Sequence, residues 1–369
     1  MTLKGRPAFV AALNLGRCVM LLALLLGSSS CSLVPLQRQG DRGDCTDVRD
    51  GVGDKELHRL RTDQGLATAR LQRGLQSGDS TTRYKALHVL LTRAEPQTLL
   101  SPLLTMVQDD DPRVRATSVG GLATAVAAQA TLSPQLLPLI TQARQDGDPG
   151  VRAASFNGLA AVALQQKPLR PHVLPLFKQG LQDRSACVRA TAAASLESLF
   201  LESVPTRHEL NRLLPDLLTM AASDASAWAR SHALMSLGPA SVNAAESVAV
   251  LVTVVQQEPD ARLRAVALHA LRYHRAAEPA ATQAILAAMN DPNAWVRESA
   301  VDTLLKIEPN PLRHRSQAQQ LSNQGLQTAI WALKRWARNP EVKQWTKTAI
   351  PPLLETLMAE QRARWLQER

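Results

Sequence analysis

The chain has 369 residues with a net charge of +10, and 45% of the residues are hydrophobic whereas only 3% are aromatic. This hydrophobic fraction excludes a wholly disordered chain, and the abundance of Ala and Leu favours helices that pack through small side chains. The basic excess is spread along the chain, so it indicates solubility more than a dedicated surface for nucleic acid or acidic lipid.

The first residues have the layout of an export signal. A basic stretch ends at Arg17, an apolar run covers residues 18–26, and small residues at 27–30 lead into Cys31. Such a short apolar run is too small to cross a hydrocarbon core of about 30 Å as a helix. We therefore predict that residues 1–30 are a signal peptide.

The small residues before Cys31 resemble the lipobox of bacterial lipoproteins, in which that cysteine becomes the acylated first residue of the mature chain. The sequence departs from this motif at Ser28, where the family usually has Leu. The resemblance implies a lipid-anchored protein of the cell envelope that faces the periplasm, with Cys31 as the lipidation site. The outer membrane is favoured because Ser32 is not acidic, and a soluble periplasmic protein is the alternative.

Residues 31–62 are rich in Gly, Asp, Arg and Gln and show little apolar periodicity, so we predict a flexible tether. Cys45, in this tether, and Cys187, at a repeat junction, could pair in an oxidising compartment. Two cysteines are too few for a fold held together by disulfides, so we expect no essential disulfide.

One sequence unit recurs seven times beyond the tether. It consists of an apolar residue, then Arg, then Leu seven places later, and an acid or Pro often stands before it; Arg83 with Leu90 is a weaker first copy. Successive arginines, starting from Arg83, are 32, 37, 37, 41, 34 and 33 residues apart. This interval fits one helical hairpin per unit and fits neither a propeller blade nor a leucine-rich strand.

The repeated unit resembles HEAT repeats over roughly residues 64–307. The resemblance implies an all-α protein, an α-α superhelix or solenoid of about seven to nine helical hairpins. We assign the repeat array to residues 63–308, and degenerate C-terminal repeats or a cap to residues 309–369.

Each repeat arginine falls within about 40° of the centre of the apolar face of its helix, beside the core. In HEAT proteins, an Asp that opens each unit pairs with this arginine and forms a ladder between neighbouring repeats. The resemblance therefore implies a ladder made of Asp111, Arg115, Asp148, Arg152, Asp183, Arg189, Asp224, Arg230, Arg264, Asp291 and Arg297. A row of phosphate clamps is the alternative interpretation of the same arginines.

The opposite side of the second helix of each unit lines the concave face in HEAT solenoids. Here the candidate binding face is Lys85, His88, Thr117, Asn157, Thr191, His232, Met235, His269, Ser299 and Asp302. Its middle is small and nearly uncharged, which suits an extended peptide or a helix of a partner protein. Nucleic acid is not expected, because clustered bases with stacking aromatics are missing from these positions. The three histidines show no ligand-like spacing within one turn, so no metal is predicted.

The last part of the chain is basic and aromatic. Its bases and tryptophans are Trp331, Lys334, Arg335, Trp336, Arg338, Lys343, Trp345 and Lys347. A terminal cap over the last repeat is one interpretation, and a docking surface for acidic lipid or an acidic partner is the other.

No HExxH, phosphate-binding glycine loop or GxSxG elbow occurs in the sequence. We therefore predict that the protein is not an enzyme and uses no cofactor. We expect a non-enzymatic scaffold or adaptor that binds a partner protein. One alternative is a basic solenoid that binds nucleic acid or anionic lipid. The other is a HEAT-like lyase of the bilin lyase type, against which the export signal counts.

Overall fold

In a computed structural model of the chain, the described residues are 68–93, 99–201, 211–240, 245–273, 279–306, 318–338 and 344–367. They form α-helices joined by turns and short 3-10 segments, and none of these residues belongs to a strand, which confirms the all-α fold class. The chain divides into two compact units at residues 202 and 203, within the segment predicted as one array. The predicted signal peptide and tether, with Cys31 and Cys45, lie outside the described residues.

The helices of the first unit alternate between an outer first helix and a second helix that carries the repeat arginine. They are α1 (Thr68–Gly74), α2 (Ser80–Arg93), α3 (Leu100–Met106), α4 (Pro112–Ala128), α5 (Ser133–Gln142), α6 (Pro149–Gln165), α7 (Arg170–Val173), α8 (Phe177–Leu181) and α9 (Ala186–Phe200). A 3-10 turn at Leu174–Leu176 separates α7 from α8, where Pro175 removes one backbone donor. The second helices α2, α4, α6 and α9 pack side by side.

Local sequence fixes where the second helices begin. The Asp111 carboxylate accepts a hydrogen bond from the Arg113 N–H at 2.8 Å, and Pro112 fills the first helical position of α4. The start of α6 repeats this arrangement, since Asp148 accepts from the Val151 N–H at 3.1 Å. A side-chain cap followed by proline satisfies an orphan donor and removes another, so both helices start at a defined residue.

The repeat leucines are the centre of the core. Leu122, Leu159 and Leu196 are fully buried, each seven residues after a repeat arginine. Helices α4 and α6 approach closely because Gly158 lies between them, and a Cβ on this glycine would stand 2.7 Å from the Cβ of Ala123. Small residues thus let neighbouring second helices pack at short range.

The second unit continues the alternation. Its helices are α10 (Leu214–Ser223), α11 (Ala227–Ala240), α12 (Ala245–Gln257), α13 (Ala261–Leu271), α14 (Pro279–Ala288), α15 (Ala294–Lys306), α16 (Asn323–Arg338) and α17 (Gln344–Gln367). Helices α11, α13, α15 and α16 pack in sequence. Among the described helices, none is both long enough and apolar enough to cross a membrane.

Candidate functional site

Each repeat arginine with a strong pair makes hydrogen bonds both to the next repeat and to the turn that precedes its own helix, and Arg152 is the clearest example. Its Nε and Nη2 donate to the two carboxylate oxygens of Asp183, at 2.9 and 2.8 Å, and Asp183 belongs to the next repeat. Its Nη1 donates to the backbone carbonyls of Asp146 and Gly147, at 3.0 and 3.1 Å. One buried guanidinium therefore joins two repeats and satisfies the turn before its own helix.

The same geometry recurs in both units. Arg83 and Arg115 form two-point pairs with Asp109 and Asp146. In the second unit, Arg264 pairs with Asp291 at 2.8 and 2.9 Å.

Two positions in the second unit are weaker, since Arg230 meets Glu258 at 3.4 Å and the Arg297 Nε donates to the Thr328 hydroxyl at 3.0 Å. Arg189 donates through Nη1 to the carbonyls of Asp183 and Arg184, at 2.9 and 3.2 Å. The ladder is therefore strongest where a bidentate carboxylate is present.

The structure corrects two acids of the predicted ladder. Asp111 and Asp148 cap their helices and do not pair with a repeat arginine, whereas Asp109 and Asp146, two residues earlier, do. The pairing acid stands six residues before the arginine of its own repeat, and the capping residue stands four before it. Asp183, Asp224 and Asp291 also occupy the earlier position.

Asp183 and Asp291 pair with the arginine of the preceding repeat. Asp224 accepts a hydrogen bond from the Ser226 N–H at 2.8 Å and, through its carbonyl, from Arg230 Nη1 at 2.7 Å. The distance in sequence from the repeat arginine, six residues for a pairing acid and four for a capping acid, was the signal that could have separated the two kinds of acid.

One ladder acid and one capping acid have lowered pKa values. Burial alone would raise the pKa of the Asp146 carboxyl, but hydrogen bonds from Arg115 and the Asp148 N–H lower it by more, so its pKa lies below the ordinary value. The pKa of the capping Asp111 is also well below its usual range, chiefly because the Arg113 guanidinium donates to it. These carboxylates serve the fold and none is kept protonated for proton transfer.

The predicted binding face is only partly accessible. Two of its members, His88 and Met235, are each 7% exposed, so they belong to the packing between helices and contribute almost no surface. The ideal helical wheel misses this because the second helices pack against one another as well as against the first helices. The other members are half-buried: Lys85, Thr117, Asn157, Thr191, His232, His269, Ser299 and Asp302.

His232 lies beside an aromatic ring. The Trp228 ring meets the imidazole edge to face, with centroids 5.6 Å apart. Desolvation by burial lowers the pKa of His232 to about 4, so the imidazole is neutral at pH 7. In the part of the chain that the structure describes, no group of His, Cys, Asp or Glu is arranged to hold a metal ion.

A polar cleft of about 680 Å³ opens between the turns of the third and fourth hairpins, and the sequence did not indicate it. Its charged lining is Arg144, Asp146, Arg152, Lys178, Asp183 and Arg184, with the amides of Gln145, Gln179 and Gln182. Both acids belong to the ladder, so they are neutralised by Arg115 and Arg152. Three cations of the lining remain without a carboxylate among the described residues.

Cys187 lies close to this cleft along the chain, three residues after Arg184. Its side chain is 2% exposed and forms a disulfide, whose other cysteine lies outside the described residues. The sequence allowed Cys187 to form a disulfide in an oxidising compartment, and whether this bond is essential for the fold stays a prediction.

The C-terminal segment has an apolar inner side and an aromatic outer side. Ile350, Leu353 and Leu357 of α17 are fully buried, as in a cap. Trp331 is half exposed, and the Arg335 guanidinium lies 5.2 Å from its ring centroid. Lys343 and the side chains of Trp336, Trp345 and Lys347 lie outside the described part of the chain.

Comparison with known proteins agrees with this architecture. The family model for HEAT repeats matches residues 100–197 and 214–305. The YibA protein of E. coli is similar in structure, with 14% identity, a TM-score of 0.56, and coverage of 80% of this chain and 94% of YibA.

Kap95p, solved in a study of its binding to RanGDP, is similar with 13% identity and a TM-score of 0.52, covering 97% of this chain and 47% of Kap95p. The chain thus spans about half the length of Kap95p, while no curated protein sequence matches it. Because the family model covers more than half of the chain and the hairpins carry its arginine ladder, this chain belongs to the HEAT-repeat proteins.

Proposed function

We propose that this protein is a non-enzymatic scaffold of the bacterial cell envelope that holds a partner protein along its second helices. The proposal rests on the observation that the recurring arginines are already bonded within the fold. Each strong rung gives its guanidinium to a carboxylate and to two carbonyls, as in Arg152, so these side chains are not available as phosphate clamps. What repeats and remains accessible is the edge of the second helices.

The edge of the second helices in the first unit suits a peptide. Thr117 on α4 and Thr191 on α9 each lie two residues after their repeat arginine, and Asn157 on α6 lies five residues after Arg152; all three are half-buried and uncharged. Small polar side chains leave room for a main chain and offer hydrogen bonds without a desolvated charge. Kap95p, a helical repeat protein that binds RanGDP, gives a precedent for protein binding on such a frame.

The proposed location in the cell envelope is supported by the sequence and by one structural feature. The signal peptide and lipobox resemblance place Cys31 at the start of a lipid-anchored chain in our proposal. The disulfide at Cys187 supports it, because structural disulfides are typical of oxidising compartments such as the periplasm. Export also separates the chain from intracellular nucleic acid.

Site-specific photocrosslinking in intact cells tests the binding face. A photoreactive residue at Asn157 or Thr191 is expected to capture one protein species, whereas the same residue at exposed Gln135 on the outer helix α5 is the matched control. When the crosslinking is repeated in a cell extract, capture from Asn157 should persist at moderate salt, since a peptide in an uncharged groove releases few counterions. Equal capture from Gln135 would contradict the proposal.

Cell fractionation tests the address. Cys31→Ala should move the protein from the membrane fraction to the soluble periplasmic fraction, because removal of the acyl chains removes the stable anchor. A membrane-bound Cys31→Ala variant would show that another part of the chain provides the attachment.

Anionic lipid is a second candidate ligand, favoured by one observation. Trp331 and Trp365 are each about half exposed, and Arg335 lies over the Trp331 ring. An amphipathic tryptophan beside a cation suits the headgroup region of a membrane. Cosedimentation with phosphatidylglycerol vesicles, compared between wild type and Trp331→Ala, would detect it.

A further inference from the structure

We propose that the acidic segment 41–54 of this chain lies in the polar cleft of the first unit, and that Cys45 closes the disulfide at Cys187. The polar cleft is the one lined by Arg144, Lys178 and Arg184 described above. The proposal concerns a contact within the chain, so it goes beyond the partner-binding role.

The cleft has the chemistry to receive carboxylates on a peptide. Arg144 donates to the Thr141 carbonyl at 3.0 Å and to the Gln179 amide, and neither partner neutralises its charge. Burial without a carboxylate lowers the pKa of Arg144, which shows a guanidinium that an anion would stabilise. Lys178 and Arg184 stand exposed at the same rim.

The glutamines of the cleft favour a peptide over an inorganic anion. Gln145 offers both an amide donor and a carbonyl acceptor, and Gln179 offers its amide donors while its carbonyl accepts from Arg144. A peptide main chain has both partners, whereas a phosphate at neutral pH mainly accepts. The volume of about 680 Å³ also exceeds what a single small anion fills.

The acidic segment 41–54 matches the three cations. It contains five aspartates and two arginines, which gives a net charge of −3. The aspartates are Asp41, Asp44, Asp47, Asp50 and Asp54. In an extended backbone with three residues per turn, a carboxylate at every third residue recurs on one side about every 9 Å. Such a row can meet cations that come from separate turns.

The disulfide brings this segment to the cleft. The other cysteines of the chain are Cys18, Cys31 and Cys45. On our proposed function, Cys18 leaves with the signal peptide and Cys31 carries lipid, which selects Cys45. Three residues separate Arg184 from Cys187, at most about 11 Å of chain, and Asp44 and Asp47 flank Cys45 at one and two residues.

The remaining chain is long enough for this path. Thirteen residues, 55–67, join the acidic segment to Thr68, and they extend up to about 45 Å. Hairpins stacked at about 10 Å per helix layer put the cleft two to three layers from α1, or about 30 Å.

The purified, oxidised full-length protein tests the proposal without any partner. Non-reducing digestion and mass spectrometry should give a peptide that joins Cys45 to Cys187. A carbodiimide, which links carboxylates directly to lysine amines, should join Lys178 to an aspartate of segment 41–54 within one molecule. Exposed Lys167, in the same unit but outside the cleft, is the control lysine.

A matched variant removes the charge and keeps the fold. Asp44→Asn, Asp47→Asn and Asp50→Asn together should abolish the link at Lys178 and leave the array folded. The proposal is overturned if Cys187 pairs with Cys18 or Cys31, if Lys167 is linked as often as Lys178, or if links form only between molecules. Retention of the Lys178 link at the wild-type level in the triple variant would also overturn it, because the link would then not depend on these carboxylates.

The outcome is distinguishable from the partner-binding proposal. Loss of partner capture at Asn157 with an intact Cys45–Cys187 link refutes the scaffold and leaves the intramolecular contact standing. If the lysine links are absent while Asn157 still captures a protein, the cleft serves another acidic ligand and the tether proposal fails alone.

Discussion

Removal of the Arg152 side chain is the most direct test of the ladder. Arg152 is 5% exposed, and Arg152→Ala deletes two hydrogen bonds to Asp183 and two to backbone carbonyls. The Asp183 carboxylate then keeps only the Ser185 N–H, at 2.8 Å, while it stays buried. The fourth hairpin would hold a desolvated negative charge without its cation.

The expected cost follows from that arrangement. Breaking a buried ion pair by removing one partner costs about 3–5 kcal/mol, because the remaining charge is uncompensated. A domain of 150–250 residues loses about 2–4 °C of melting temperature per kcal/mol, so the loss should be about 6–20 °C. Arg152→Lys should cost less, since an ammonium keeps the charge but cannot make a two-point pair and reach two carbonyls.

Urea unfolding followed by circular dichroism measures the effect. Lys167→Ala is the matched control, because Lys167 is exposed in the same unit and lies outside the cleft, and its free energy of unfolding should stay within about 0.5 kcal/mol of wild type. A double-mutant cycle with Asp183→Ala should show a coupling energy of about 1–3 kcal/mol. An Arg152→Ala protein that unfolds within about 1 kcal/mol of wild type would refute the structural role of the ladder.

Four further predictions concern the acids, the histidine and the close helix contact. Asp146→Ala should destabilise the first unit more than Asp148→Ala, since Asp146 pairs with Arg115 whereas Asp148 is a helix cap worth about 1 kcal/mol. Urea unfolding of the two variants measures the difference, and equal losses of stability would contradict the assignment of the pairing acid to the position six residues before the arginine. The pKa of Asp146 is lowered by its partners, so its stabilising contribution is present above the unfolded pKa of about 4 and is lost as the pH falls through the lowered value; unfolding at pH 7, 5 and 3 should show the loss only at the lowest pH. The pKa of His232 is about 4 in the folded protein, below its unfolded value of about 6.5, so protonation of the unfolded state should destabilise the second unit as the pH falls between these values, and His232→Gln should remove that part of the pH dependence. Gly158→Val should lower the melting temperature, because even the first added carbon would lie 2.7 Å from the Ala123 Cβ, whereas Gly147→Ala, with open space around it, should not.

The hairpins could be predicted from the sequence because a repeat array is built from local contacts. Each repeat leucine and arginine recurs at nearly constant spacing, and Leu122, Leu159 and Leu196 are buried where that period puts them. The exact acid of each rung was less visible, since Asp146 and Asp148 are two residues apart in the same turn. Only the backbone of that turn decides which carboxylate faces the previous repeat and which one caps the helix.

The polar cleft could not be predicted from periodicity. Arg144, Lys178 and Arg184 come from the end of one outer helix, from another outer helix and from the following turn. They share no repeat position, so a search for a recurring pattern passes over them. The accessible face was overestimated for a related reason, because His88 and Met235 lose their surface to neighbouring second helices that a single helical wheel does not contain.

In the first unit, whether a basic side chain is neutralised depends on whether an acid lies at the fixed offset to pair with it. A guanidinium that follows a carboxylate at the fixed offset is neutralised and buried, as Arg115 and Arg152 are. Arg144 and Lys178, which come from the outer-helix side of their hairpins, have no such acid among the described residues, because the capping and pairing acids both serve the second helices. Ladder formation therefore leaves its surplus positive charge at the turns between hairpins, which is where an acidic segment gains most by binding. This is the physical reason to look for ligands at the edge of the array as well as along its second helices.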